Sequence, residues 1–384
     1  MKHSTDRILT THVGSLPRPH SLLDMMKKHF DGETLDEASY AAMLQDAVNE
    51  TVHKQADVGL DVVADGEMSK PGHAVYINER MEGYEPRPDV DEGRYSEEQE
   101  AFPEYYEDYF RRAMLGGAIA PSAPMYCVGP IKYCGHEALK TDIQNLKAAM
   151  GEVDCAEAFM PCVAPTGVGH NEYYPSEEEY IYAVADGLAE ECRGIVEAGL
   201  LLQIDDPFLP DVFMDKTLDA KQKDRKAMMY VEATNHMLAG IPQEKVRFHT
   251  CYGINAGPRV YEPELPDLID YVLRINAAAF SFEAANPRHE HEYHMWENVE
   301  LGEGRLVIPG VITHASTVVE HPEYVAERII RFADRVGREN VIASADCGFS
   351  SQAMYKTEVD QRVVWAKFAA LVEGAKLASE KLWH

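Results

Sequence analysis

Residues 246–253 read VRFHTCYG, an apolar run that ends in a histidine and a cysteine two positions apart. In a strand, side chains at i and i+2 share a face, so His249 and Cys251 reach toward one point. Two further runs end in residues of the same kind: AAAFSFEAAN (277–286) in Glu283 and NVIASADCG (340–348) in Cys347. If these strands lie parallel, all four side chains leave one rim of the sheet. An imidazole, two thiols and a carboxylate are a donor set that suits tetrahedral zinc. A buried Cys is also common as a small hydrophobe, and a lone strand histidine is usually a satisfied core residue. What points to a metal is the shared placement of the four, not any one of them.

Working outward, short apolar runs alternate with long amphipathic ones along the chain. Nine runs read as strands: 8–14, 60–66, 126–133, 158–165, 200–206, 246–253, 278–284, 306–312 and 340–346. Helices are expected over 36–58, 137–151, 176–198, 218–239, 264–276, 322–336 and 358–380. Clear start signals stand at Pro175-Ser176 before three glutamates and at His321-Pro322-Glu323. This alternation predicts an α/β protein with a parallel sheet covered by helices. A doubly wound sheet is disfavoured, because no Gly-rich phosphate-binding sequence stands at a strand-to-helix turn. Polar residues instead end many different strands (His12, Glu67, Asp205, His249, Glu283, Cys347), as in a (β/α)8 TIM barrel. Nine runs exceed eight, so either 126–133, with its Gly-Pro step, or the first run lies off the ring.

The chain is read as one catalytic domain over 1–384, with 83–122 as an acidic, Tyr-rich insertion after the second strand. That segment is either a solvated excursion or a lid whose Tyr84, Tyr95, Tyr105, Tyr106 and Tyr109 help exclude water. The run His289-Glu290-His291-Glu292-Tyr293-His294 resembles a second metal site, but its simpler reading is a polar loop entering a helix.

A net charge of −29 and a pI near 4.9 argue against nucleic-acid and anionic-membrane partners. Seven cysteines without regular spacing argue against a disulfide framework, and Cys127, Cys134, Cys155, Cys162 and Cys192 read as buried thiols of a reducing compartment. The N-terminus carries no signal or transit pattern and no stretch is apolar enough to span a bilayer, so a cytoplasmic location is expected. A homo-oligomer is compatible with all of this.

Taken in order, THVGSLPRP (11–19), DVVADGE (61–67), LQIDDP (202–207), HTCY (249–252), FSFEAANPRHEHE (280–292), PGVITH (309–314) and SADCG (344–348) resemble the cobalamin-independent methionine synthase family. The likeness is to its catalytic C-terminal barrel and covers nearly the whole chain. It is strongest with the short single-barrel members, which include epoxyalkane:coenzyme M transferases. The resemblance implies that His249, Cys251, Glu283 and Cys347 bind catalytic zinc. Three negative ligands against a dication would keep a bound substrate thiolate electron-rich. It also implies that Glu67 and Asp205 hold the ammonium of homocysteine, that Ser15 in the Gly14-Ser15 step meets its carboxylate, and that His314 is the catalytic proton carrier.

Three positions depart from the family pattern. The segment that carries a folate-stacking Trp in the family reads VGPIKYCGHEA (128–138), with Tyr133 as its aromatic. His314 falls one position earlier along its strand, which leaves open the face its side chain takes. The family's Glu after the ammonium-binding Asp is here Asp206. The expected activity is zinc-dependent alkyl transfer to a thiol, with methylation of homocysteine to methionine foremost. The alternatives are epoxide opening by a zinc-bound, sulfonate-bearing thiol, for which Arg18, Lys70 and Arg288 could supply cations, and a non-catalytic zinc-stabilised binding protein.

Overall fold

The computed structural model describes residues 1–90, 96–112, 117–120, 123–253 and 256–384. Eight parallel strands form a nearly closed ring: β1 (Leu9–Thr10), β2 (Val62–Val63), β3 (Glu157–Val163), β4 (Leu201–Asp205), β5 (Val246–His249), β6 (Ala279–Phe282), β7 (Leu306–Ile312) and β8 (Ile342–Ala345). Neighbours pair in chain order from β2 to β8, and β8 pairs with β1. The remaining seam is bridged by the Asp61 N–H donating to the Thr10 carbonyl at 3.1 Å and by Thr11 Oγ1 donating to the Val62 carbonyl at 3.0 Å. The expected (β/α)8 barrel is thus the architecture of the chain.

Strand alternation divides the apolar residues between two cores. Val62, Ala64, Phe159 and Leu201 pack together in one cluster, and Leu9, Ala279, Leu306, Ile308 and Ile342 in another. Val63, Val307 and Val311, one position out of phase, join the large cluster formed with the helices. Arg247 is buried among the strands, stacked 4.0 Å over Phe159, with its guanidinium on Thr11 Oγ1 at 3.1 Å and the His12 carbonyl at 2.8 Å.

The helices start where the sequence signals them. Ser176 accepts the Glu179 N–H ahead of Glu177–Glu197, and His321 Nδ1 accepts the Glu323 N–H ahead of Pro322–Val336. The run at 126–133 lies off the ring: Met125–Tyr133 pairs antiparallel with Met81–Pro86. Helices follow in the insertion at Ser96–Ala101 and Pro103–Arg112. All seven cysteines are free thiols; Cys134 is exposed rather than buried, and Cys155 is half-buried. No helix among the described residues is long and apolar enough to cross a membrane.

Candidate active site

Strand register sets the site. Asp205 on β4 pairs with His249 on β5, and His249 pairs with Ser281 on β6, so these residues stand abreast where the strands end. Ser281 Oγ hydrogen-bonds His249 Nδ1 at 3.0 Å, which fixes the ring. The other nitrogen, Nε2, is buried with no hydrogen-bond partner. His249 Nε2 or Nδ1, Cys251 Sγ and Cys347 Sγ all lie within 4.8 Å of one another.

The electrostatics of this trio fit a bound cation. Burial, followed by the charge of Arg247, brings the His249 imidazole down to about 3, so it is neutral and free to donate a lone pair. Contact with Cys251, followed by burial, pushes the Cys347 thiol well up. The Cys347 thiol then ionises readily only with a positive charge beside it, which is what a divalent soft-ligand metal provides.

Glu283 stands with a different group. Its carboxylate, the His314 imidazole and the Asp346 carboxylate offer atoms within 4.8 Å of one another, all buried. Glu283 Oε2 faces Arg259 Nη1 at 2.8 Å and accepts from Asn286 Nδ2 at 2.7 Å, while Oε1 has no hydrogen-bond partner. Three of the four expected ligands therefore converge, and the fourth is held beside them by an arginine. His314 reaches this group because of a register irregularity between Gly310 and Ile312, where β7 advances two residues against one of β8. An extra residue of this kind turns the following side chains to the opposite face, which offsets the one-position displacement of His314 seen in the sequence.

Glu67, in the loop after β2, and Asp205, at the end of β4, stand close enough for their charges to interact. Glu67 adopts φ 56°, with its N–H on Asp65 Oδ1 at 2.9 Å and its carbonyl accepting from Arg18 at 2.7 Å. Its Oε1 lies against Gly14, where a Cβ would come within 2.7 Å of it. Burial, and then the charge of Glu67, hold the Asp205 carboxyl well above the usual range. Ser15 is buried next to the loop after β8, its carbonyl accepting from the Phe349 N–H at 3.0 Å and its Oγ from the Ser350 N–H at 3.4 Å.

Other candidates are placed elsewhere. His12 is a satisfied core histidine, with Nε2 on Gln55 at 2.8 Å and a pKa brought down to about 3 by burial. Asp206 accepts the N–H groups of Phe208 and Leu209 at 2.9 and 3.0 Å, so it caps the following turn. Arg18 donates to the carbonyls of Ser350, Glu67 and Lys70; Lys70 donates to the Pro161 carbonyl at 2.6 Å; Arg288 donates to the Val260 carbonyl at 3.3 Å. In the histidine-rich run, His289 is buried between Glu262 and Glu292, whereas His291 and His294 are exposed, and among the described residues they form no metal-holding group.

The tyrosines of the insertion separate. Tyr84 meets Tyr180 at 3.1 Å on the flank of the barrel, and Tyr95 lies outside the described residues. Tyr105 donates to the Ala256 carbonyl at 2.9 Å, and the Ala256 N–H donates to Tyr109 Oη at 3.4 Å, so the second insertion helix packs on the loop that follows Cys251. Arg259, Asp346 and Ser281 went unnoticed in the sequence. Only Ser281 carried a local signal, lying two positions before Glu283 on its strand.

The model of the cobalamin-independent synthase catalytic domain matches residues 8–130 and 170–369, which include every site residue named above except Pro161. The methionine synthase of Sulfurisphaera tokodaii is 24% identical over 377 residues, covering 97% of this chain and 93% of that protein. That of Saccharolobus solfataricus is 25% identical over 376 residues, covering 97% and 95%. A solved B12-independent methionine synthase from Shewanella sp. W3-18-1, in complex with selenomethionine, shares the fold with a TM-score of 0.74 and 19% identity over 98% of this chain and 99% of that one. With the family match spanning most of its length, the chain belongs to the cobalamin-independent methionine synthase family, of which it carries the catalytic domain.

Proposed function

We propose that the chain is a zinc-dependent thiol methyltransferase that converts homocysteine to methionine. The observation that carries this reading is the convergence of the neutral, buried His249 with the Cys251 and Cys347 thiols at the end of the barrel. The names of the archaeal relatives support it. Zinc bound by these residues would supply a low-pKa environment for an incoming thiol and keep it nucleophilic.

The remaining work falls to side chains of the chain itself. Ser281 orients His249 through Nδ1. Glu67 and Asp205 offer a paired acidic surface to the substrate ammonium, whose charge would offset the burial and the Glu67 charge that raise the Asp205 carboxyl. Ser15, in the loop after β1 and against the loop after β8, would meet the substrate carboxylate. His314, beside Glu283 and Asp346, would carry a proton on its imidazole. The helices at 96–112, packed on the loop after Cys251, would act as a lid that excludes water.

A sulfonate-bearing thiol would need a cation in the site, and Arg18, Lys70 and Arg288 all donate to main-chain carbonyls instead. The test is metal analysis combined with a thiol assay. The purified protein should hold about one zinc per chain and consume homocysteine with a methyl donor, and Cys251→Ser should lose both properties. Full zinc occupancy in the Cys251→Ser, Cys347→Ser double variant would sink the assignment. Zinc without turnover of any thiol would identify a binding protein instead.

A further inference from the structure

Lys367, in the helix Gln361–Trp383, is fully buried and has no part in the site described above. Its Nζ donates to the two oxygens of Glu320 at 2.9 and 2.8 Å and to the Val318 carbonyl at 2.6 Å. Glu320 Oε1 also accepts the Thr313 N–H at 2.8 Å, and Thr313 is the residue before His314. Within the same loop, Thr313 Oγ1 accepts the Ala315 N–H and Ser316 Oγ the Val318 N–H, each at 3.1 Å. One ammonium therefore gathers the 313–321 loop from the inside, while the Val318 side chain at its tip stays exposed.

This loop begins where β7 goes out of register. Gly310 and Ile312 pair with Ser344 and Ala345, so Val311 is the extra residue. Arg328 donates to the Val311 carbonyl at 3.1 Å and to the Ala285 carbonyl at 2.8 Å. A buried backbone group that lacks a strand partner has to find one elsewhere. Here charged side chains from two helices take the groups at 311 and 313, on the approach to His314. Arg328 also holds the segment after Glu283, whereas the hydrogen bonds of the Lys367–Glu320 pair go to the 313–321 loop. A buried ion pair adds little stability over an apolar pair of the same volume, because desolvation offsets most of the attraction. What it supplies is a fixed geometry, and the peptide fixed here is the one that carries His314.

We propose that Lys367 and Glu320 are positioning residues for methyl transfer: through the Thr313 N–H they hold the imidazole of His314 beside Glu283 and Asp346. The proposal rests on His314 being the proton carrier of the reading above. Without the pair the loop is loose at its root, and His314 is in place for only part of the time. Proton transfer then slows, while zinc and homocysteine are bound as before.

Zinc content, homocysteine KM and kcat test this, measured with whichever of methylcobalamin and methyl-tetrahydrofolate the wild type uses faster. The double variant Glu320→Leu, Lys367→Met removes both charges and leaves no lone buried charge behind. It should keep its zinc and hold KM within about twofold while kcat falls by roughly tenfold or more. Phe368, next to Lys367, packs on Phe349 in the loop after Cys347, with ring centroids 5.4 Å apart, so a general loosening of the helix would reduce zinc content as well. Adding His314→Asn should give a protein no slower than His314→Asn alone, because the pair acts through that imidazole. Glu320→Gln keeps the shape and weakens the bond to Lys367. Its kcat should fall by about threefold at unchanged KM, and it carries the test should the double variant not fold. Unchanged kcat in either variant, a loss shared with zinc or with KM, or losses that multiply when His314→Asn is added would overturn the proposal and leave the reading of the site intact. Wild-type protein that holds zinc and methylates homocysteine from neither donor would overturn both.

Discussion

Gly310 lies so close to Asp346 that a Cβ on the glycine would come within 2.5 Å of the Asp346 Cα and 2.7 Å of its amide nitrogen. This close approach sits at the register irregularity between β7 and β8. Asp346 Oδ1 in turn accepts the N–H groups of Ala284 and Ala285, each at 2.7 Å, directly after Glu283. One carboxylate thus ties together the segments that carry Glu283, His314 and Cys347.

The obstruction at Gly310 is mainly backbone, so it cannot swing aside as a flexible side chain would. Gly310→Ala should lower stability by about 1–3 kcal/mol, the usual cost of overpacking, and should reduce zinc occupancy by displacing Cys347. Denaturant midpoints and metal analysis measure both effects. An unchanged midpoint with full zinc would show that the strands part easily at this point.

Substrate choice is tested at Glu67. Replacing it by Gln keeps the shape and removes one charge of the acidic pair. Homocysteine binding should weaken by about 1–3 kcal/mol, the range for losing a charged hydrogen bond, with zinc content unchanged. A thiol without an amino group should be bound as before. If both thiols lose equally, Glu67 does not grip an ammonium.

Stability should depend on pH through Asp65. Burial, and then the charge of Asp142, raise its pKa from 3.8 to about 6 in the folded chain. Below 3.8 the group is protonated whether the chain is folded or not. Between there and about 6 the unfolded chain gives up the proton first, so stability falls as pH rises, and the loss is complete above that window. Asp65→Asn keeps an acceptor for the Glu67 N–H and removes the titration. Relative to the wild type, the variant should gain up to about 3 kcal/mol between pH 4 and pH 7. Parallel stability curves for the two proteins would contradict the raised pKa.

Much of this molecule was legible in its sequence because strand and helix periodicities differ. The runs ending in Asp205, His249 and Glu283 are short, apolar and followed by helix starts, and in the structure they are neighbouring barrel strands. The extra run at 126–133 was harder to place, since its Gly129-Pro130 step marks a strand outside the ring without saying what it pairs with. Convergence of His249 with Cys251 follows from the two-residue repeat of a strand. The face taken by His314 was not legible, because it depends on an irregularity between two strands far apart in sequence. Arg259 was invisible for a related reason: its partners Glu98-bound backbone and Glu283 are brought to it by the fold, and a left-handed backbone at an arginine leaves no mark in composition.

The last prediction concerns the methyl donor. A pterin ring needs a flat aromatic face, and stacking on such a platform is worth about 1–3 kcal/mol, which amounts to roughly tenfold or more in affinity. In this chain the segment that would supply the face offers Tyr133, and that ring is not available. It is 3% exposed, its hydroxyl donates to Glu191 Oε2 at 2.6 Å, and Glu191 also holds Tyr76 at 3.0 Å and Arg80 at 3.1 Å. Arg80 continues the network to Asp142 at 2.5 Å. Tyr133 is thus part of a buried polar network beside the hairpin. Tyr133→Phe should cost about 1–3 kcal/mol of stability by leaving Glu191 one donor short, without altering donor preference. Methyl-tetrahydrofolate should accordingly be a poor donor, and a compact electrophile such as a corrinoid-borne methyl or a strained ring should lose less. Comparing initial rates of thiol alkylation with each donor, at equal homocysteine, decides the matter. Rapid methionine formation from methyl-tetrahydrofolate would mean that another surface of the site supplies the missing face.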